Sequence, residues 1–579
     1  MPTTSRLAPG HVPALTMREL VVVALGAACA VALVGVDASV RGAVGIPRDD
    51  DWSYLRTIFD FASSGTFTLN GWVHMMFIGQ AVPGAILIDL AGPSITALQV
   101  ANALVAVVAL VLTYAASRQL LATTPALFLV AVLTVNPVFA HLVVTAMTDL
   151  PVLALQAGCL LCGLVALRNE TPNWPLTIGG LTCGMAAFTI REYGVVVLVA
   201  VAVVLLIRFG GVHRGRRFRG YLIGLTLLLI LCAAAAIVLW AWRRDLPNDI
   251  VNVSLPLDQA TLLLFQAAAV LGLMIVPVWC AVSWVGLRRL AAVTPVWVSL
   301  PAVLVGLAMV AFILVNGNQV LGNIIHPFGS TWTSVGDGIR AVPLGLFRML
   351  QALGYASLVM LCAVVAAMGW LTVTRFRKHA TAGSRTAFTA RQWQLCLLVT
   401  VILALLGSYV VATGALGAPL IDRYFLLPAP LVGVVLLAVL GSWHESTWRR
   451  LQAGLSGLAV GACAVIGTAF VDASAQVDGA RWRMAEALVA QGVDPAVIDA
   501  GDPWFRYHQK GPGRAGPDTS GRPWWVTFFP EARACWTIVL TSQQEPGSWG
   551  AERSGASIQT LLGEQGRLVV VAGPDSCSS

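Results

Sequence analysis

Four short clusters of ionisable residues stand out in an otherwise apolar chain. The first is Pro47-Arg48-Asp49-Asp50-Asp51-Trp52-Ser53-Tyr54, in which three carboxylates follow one another just past an apolar run. Adjacent acids repel one another, and crowding them favours a metal ion or a cationic partner. A solvated loop with helix N-cap acids is the plainer reading. The second cluster is Thr145-Ala146-Met147-Thr148-Asp149-Leu150-Pro151. Asp149 reads as the N-cap of a following helix with Pro151 in its first turn, and a cap residue is rigidly placed. The third is Ile190-Arg191-Glu192-Tyr193 and the fourth Asp422-Arg423-Tyr424, followed by Leu426-Leu427-Pro428. Arginine suits phosphate recognition, although an Arg–Glu pair at a tight turn and an interfacial Arg–Tyr anchor are the plainer readings. Taken together, a carboxylate that orients or deprotonates a hydroxyl and arginines that stabilise a departing phosphate are what sugar transfer from a lipid phosphate requires.

The elements that must position these residues are membrane helices. The chain has 579 residues, of which 57% are hydrophobic and 11% charged, against roughly 25% charged in soluble domains. Apolar runs long enough to span a bilayer recur along it. The sequence predicts thirteen spans, near 19–39, 94–117, 123–144, 149–167, 175–190, 193–208, 220–240, 259–285, 294–315, 345–373, 393–413, 426–442 and 452–471. The run from Leu20 is too long for a cleaved signal and is read as the first span, with residues 1–18 cytoplasmic. This count places Arg208–Arg219 and Arg375–Arg391, the two most basic loops, in the cytoplasm, as the positive-inside rule requires. Gly71–Gly92 is apolar enough to span but would invert every later loop, so it is read as an interfacial or re-entrant helix within an outer loop, 40–93. With that topology all four clusters fall on the extracytoplasmic face. The net charge of +8 comes almost wholly from arginine, and in a membrane protein it marks cytoplasmic loops rather than nucleic-acid binding.

Residues 472–579 are polar and read as a small extracytoplasmic α/β domain following the membrane domain, 19–471. Arg481–Gln491 is expected to be an amphipathic helix, and Trp524–Phe529, Cys535–Thr541 and Leu568–Ala572 short strands. Most of the eleven cysteines sit in apolar runs and read as small hydrophobes, the Cys159/Cys162 pair included. Cys535 and Cys577 are the two in the tail and are expected to pair in an oxidising compartment.

The chain resembles the GT-C superfamily of polyprenyl-phosphate-sugar-dependent glycosyltransferases, which includes protein O-mannosyltransferases and lipid A aminoarabinose transferases. The resemblance rests on Asp50, Asp51 and Tyr54 in the first outer loop, on the stretch Asn70-Gly71-Trp72 to Gly79-Gln80, on Thr148-Asp149-Leu150-Pro151, on Ile190-Arg191-Glu192-Tyr193 and on Arg423-Tyr424. It is good over residues 20–210 and looser from 220 to 420. It implies an all-α polytopic membrane fold with a soluble outer C-terminal domain, in the plasma membrane of a bacterium. It also implies a catalytic set of Asp50, Asp51 and Asp149. Arg191 and Arg423 would meet the donor phosphate, with Tyr54, His74, Gln80, Glu192 and Tyr424 around the donor. A divalent cation, Mg or Mn, is an open expectation, with Asp50 and Asp149 as its ligands. The donor would be a polyprenyl-phosphate sugar and the acceptor a hydroxyl of a glycan, lipid or protein. A transporter or flippase of lipid-linked sugars is the alternative, but it would be expected to carry charges within its spans near the bilayer midplane.

Overall fold

In the computed structural model the described residues are 15–212, 216–246, 257–316, 324–326, 339–381, 388–416, 420–441, 446–510, 524–529, 531–542, 555–562 and 565–573. The chain opens with α1 (Met17–Val40), begun by Thr16, whose side chain and that of Glu19 form a reciprocal capping box. Two short helices follow, α2 (Asp51–Ser64) and α3 (Ile78–Ala91). α2 ends at Gly65, whose φ of +68° is the left-handed conformation that glycine adopts most readily. Then come α4 (Ile95–Ser117), α5 (Thr123–Thr134), α6 (Pro137–Val143), α7 (Asp149–Ala166), α8 (Trp174–Ile190), α9 (Val195–Val212) and α10 (Arg216–Arg244). The second half of the bundle is α11 (Leu257–Met274), α12 (Val276–Ala281), α13 (Trp284–Val293), α14 (Val296–Asn316), α15 (Leu344–Thr381), α16 (Ala390–Leu416), α17 (Pro428–Leu440) and α18 (Ser446–Val489).

Among the described residues ten helices are long and apolar enough to cross a membrane, so this is a multi-pass membrane protein. An eleventh crossing is made if α5 and α6 form one span, bent by 66° where Asn136 caps α6 and Pro137 opens it. The thirteen expected spans differ from this count by α8 and α11, which are apolar but shorter. α3, from the Gly71–Gly92 stretch, is another of these shorter apolar helices. Many lipid-side residues are large and exposed, among them Leu33, Ile230 and Leu304. That is expected where hydrocarbon replaces water around a bundle.

The C-terminal part begins without a break. α18 runs through residues 471 and 472 as one helix and includes most of the expected Arg481–Gln491 helix. Gly479 lets it press against the first loop, since a Cβ there would lie 2.1 Å from the Arg41 carbonyl oxygen. Arg41 pairs with Asp472 at 2.7 Å, and the fully buried Arg48 with Asp478 at 2.9 Å, so two ion pairs fix this crossing. Beyond it lie β1 (Ile498–Asp499), α19 (Asp502–His508), α20 (Trp524–Thr527), β2 (Trp536–Ser542), β3 (Gly555–Gln559) and β4 (Gln565–Ala572). The sheet order is β1-β2-β4-β3, with β1 and β2 parallel and the other pairs antiparallel. Two of the three expected strands are strands. Trp524–Phe529 instead contains a helical turn, because its aromatics pack on Trp52 and Phe505 rather than on a sheet. Cys535 is disulfide-bonded, and Cys577 lies outside the described residues.

Candidate active site

All four ionisable clusters meet at one end of the bundle. The three consecutive acids separate because Asp49 takes a left-handed backbone, φ +48°, a conformation that Asp tolerates better than most residues. Their side chains then engage different partners. Asp49 reaches His141 on α6, with Nε2 at 2.5 Å. Burial opposes ionisation of Asp49, but the charge and hydrogen bond of His141, with Arg48 and Arg423, more than compensate, and its pKa is lowered. Asp51 is fully buried and accepts backbone N–H bonds from Arg48 at 2.5 Å and Ala146 at 3.0 Å. Burial raises its pKa well above the ordinary range in spite of those two donors. Asp50 keeps a partly exposed carboxylate. It accepts from Arg423 Nη2 at 2.9 Å on one oxygen and from Trp72 Nε1 at 3.1 Å on the other.

The loop before α7 is held from two sides. Ala146 donates its N–H to Asp51, and its carbonyl accepts from Gln80 Nε2 at 2.9 Å. Asp51 and Gln80 thus shape the backbone that leads to Asp149. Thr148 occupies the N-cap position expected for Asp149, which is the first residue of the helix.

Asp149 is buried at the centre. Its Oδ2 lies 3.3 Å from Arg191 Nη2, and its Oδ1 lies 4.0 Å from Arg423 Nε. Arg191 Nε also donates to Thr148 Oγ1. Arg423 sits on the 3-10 turn Asp422–Phe425, which Asp422 anchors by accepting the N–H groups of Ile324 and Ile325 at 2.8 and 2.7 Å. Arg191 follows the last residue of α8, with Glu192 opening the next turn. Tyr193 and Tyr424 flank Arg191, with ring centroids 5.9 and 5.8 Å from its guanidinium carbon. Tyr409 donates to the Tyr424 carbonyl at 2.7 Å and stacks on its ring, inclined by 30°. Tyr54 is buried against Phe77, and burial keeps its phenol protonated.

The loop 73–77 closes one side. Arg243 at the end of α10 donates to the carbonyls of Val73 and Met75 at 2.6 and 2.9 Å, and Phe77 N–H bonds to Ile190 O at 3.1 Å. Glu192 is engaged by this loop, through the Met76 backbone. His74 is exposed, within electrostatic reach of Arg191, Asp50 and Arg423.

Among the described residues, the buried atoms Arg423 Nε and Asp149 Oδ1 have no hydrogen-bond partner. One is a donor and the other an acceptor, and they face each other across 4.0 Å. A hydroxyl placed between them satisfies both, accepting from the guanidinium and donating to the carboxylate. The two arginines supply further N–H donors on the same side as the Asp50 carboxylate. The arrangement is suited to an anion that also carries hydroxyl groups.

Sequence reasoning named Asp50, Asp149, Arg191 and Arg423, and the structure brings these together. His141, Tyr409 and Arg506 are not marked by any motif, and Trp72 and Thr148 enter the sequence reading only as members of motifs, with no role of their own. Their contacts are not legible locally, because the partners lie elsewhere in the chain.

Two crystal structures of ArnT from Cupriavidus metallidurans align with the chain. The form bound to undecaprenyl phosphate gives a TM-score of 0.39 at 13% identity, covering 96% of this chain and 98% of that one. The apo form gives 0.37 at 13%, covering 93% and 97%. A search of curated proteins found no match. A family model described as dolichyl-phosphate-mannose-protein mannosyltransferase matches residues 84–240. Over these residues the chain is similar to that mannosyltransferase family. The matched segment carries Asp149 and Arg191, while Asp50 and Arg423 lie on either side of it. The site is thus assembled from residues inside and outside the matched segment.

Proposed function

We propose that the chain transfers a sugar from a polyprenyl-phosphate-linked donor to a hydroxyl acceptor on the extracytoplasmic side of the membrane. The observation that carries this is the buried pair Arg191 and Arg423, held in register by Asp149, beside the half-open carboxylate of Asp50. The family match over residues 84–240 supports the donor class.

In the proposed reaction the acceptor oxygen attacks the anomeric carbon and the bond from that carbon to the phosphate oxygen breaks. The bonding pair leaves with the polyprenyl phosphate. Asp50 takes the acceptor proton, which requires it to lie about 2.6–3.2 Å from the hydroxyl. Arg423 is bound to Asp50 in this structure, and donor phosphate would draw that guanidinium away and free a carboxylate oxygen. Arg191 and Arg423 stabilise the growing charge on the phosphate. Asp149 keeps two like charges from repelling each other apart. Tyr193 and Tyr424 keep Arg191 in place, and Tyr54 and His74 border the sugar.

A divalent cation between Asp50 and Asp149 fits poorly here, because the Arg423 guanidinium already lies between those carboxylates. We therefore assign charge stabilisation to the arginines. The test is transfer from the lipid-linked sugar pool of isolated membranes. Asp50→Asn should lower transfer by about 10²–10⁴-fold at unchanged protein level, and a chelator should leave the wild-type rate unchanged. A fully active Asp50→Asn protein would overturn the proposal.

A further inference from the structure

The Asp50 carboxylate has two ligands in this structure. One is Arg423. The other is Trp72, whose indole N–H donates to the second oxygen at 3.1 Å. Trp72 is far from Asp50 in sequence, and its ring is fixed by the C-terminal part of the chain. The Arg506 guanidinium of α19 lies over that ring, 4.0 Å from its centroid. Phe528 meets the ring edge-on at 5.3 Å. Arg506 is itself fully buried and set between Trp72, Trp52 and Phe528. Asp502, one turn earlier on α19, pairs with it at 2.6 Å. Arg56 of α2 holds the Arg506 carbonyl at 3.2 Å. The aromatic block of Trp52, Phe505, Trp525 and Phe528 thus joins the C-terminal part to the helix that Asp50 caps.

We infer that Trp72 is the positioning residue for the Asp50 carboxylate, and that Arg506 of the C-terminal part sets Trp72, so that this part completes the active site. The physical reason is rotational. A carboxylate held only by Arg423 turns about its Cβ–Cγ bond once that arginine moves toward a phosphate. A second donor on the opposite oxygen keeps the free oxygen aimed at the acceptor. An indole N–H serves this purpose because it donates and cannot accept, and because a cation over its face restrains the ring. Misplacing a base by about 1 Å costs on the order of 10²-fold in rate.

This inference rests on the assignment of Asp50 as base. The experiment uses the full-length chain in native membranes for transfer. It uses purified protein with undecaprenyl phosphate as the binding probe. Trp72→Phe keeps a ring for Arg506 and Phe528 and removes the N–H. It should lower the transfer rate at saturating donor by about 10–100-fold and leave probe affinity within about twofold. Arg506→Gln should reproduce this split, and Arg506→Lys, which keeps a cation over the ring, should recover most of the rate. If Trp72→Phe fails to accumulate, Phe528→Leu, which loosens the ring from its far edge, is read in the same way. A wild-type rate in Trp72→Phe, or an equal loss in rate and probe affinity, overturns the inference. Activity surviving in Asp50→Asn overturns the underlying assignment instead, so the two failures are told apart.

Discussion

Two ends of the bundle each bury arginines, and they use them differently. At the end opposite the active site, Arg118 is fully buried. Its Nη1 donates to the Leu121 carbonyl at 2.7 Å, and its Nη2 lies 3.5 Å from Glu19. Arg168 donates to the Gln119 carbonyl at 2.9 Å. These guanidiniums satisfy carbonyl groups at helix ends, where no intrahelical donor remains. Arg118 ties the start of α1 to the turn after α4, and Arg168 ties the end of α7 to the same turn. At the active end Arg191 and Arg423 donate to Thr148, Asp149 and Asp50, which are all side chains. Side-chain partners can turn away when a ligand arrives, while a helix-end carbonyl cannot. Arg118 and Arg168, bound to backbone carbonyls, are anchors, and so is Arg48, whose side-chain partners Asp478 and Ser474 hold a helix crossing. We propose that Arg191 and Arg423, beside the half-open Asp50, are the arginines available to a substrate.

The comparison breaks most visibly at Asp149. Asp149→Ala should destabilise the protein by about 3–5 kcal/mol, because it leaves two buried cations facing each other. Fluorescence-detected thermal unfolding in detergent checks this, and a loss under about 1 kcal/mol would mean that the arginines do not depend on it. Arg118→Ala should cost about 1–3 kcal/mol through the helix-end carbonyl it leaves unsatisfied, with undecaprenyl phosphate affinity unchanged. A drop in that affinity would erase the distinction between the two ends.

A smaller effect lies in the C-terminal part. Burial pushes Asp502 up to about 7, against the opposing pull of Arg506 and with the help of Asp50, Asp49 and Asp499. The folded state therefore holds a proton that the unfolded chain, with an ordinary Asp pKa near 3.9, has already released. The unfolded state binds fewer protons in that window, so stability falls as pH rises. The contribution is full below about pH 4 and is lost by about pH 7. Asp502→Asn should flatten the decline measured by thermal unfolding across that window.

How much of this was legible in the sequence follows from how the interactions are encoded. The spans were readable because membrane helices are continuous apolar runs, and each expected span has a helix in the structure. Their number was blurred where a helix is short, as in α8 and α11, or bent, as between α5 and α6. Asp50, Asp149, Arg191 and Arg423 were readable because charge next to an apolar run is costly and therefore conspicuous. The separate orientations of Asp49, Asp50 and Asp51 were not, since they depend on one left-handed residue and on Ala146 and His141, about ninety residues away. The role of Arg506 was hidden for the same reason, as its partner ring lies in the first loop. In the tail, alternation alone did not separate a strand from the aromatic turn at Trp524–Thr527.

The central claim is that Arg191 and Arg423 hold the donor phosphate while Arg118 holds the fold. The most direct measurement is equilibrium binding of undecaprenyl phosphate to purified wild-type, Arg191→Ala, Arg423→Ala and Arg118→Ala proteins in lipid nanodiscs. Removing a desolvated phosphate ligand costs about 2–5 kcal/mol. Arg191→Ala and Arg423→Ala should each therefore weaken binding about 30-fold or more, while Arg118→Ala binds like the wild type. Wild-type affinity in both active-end variants would contradict the account.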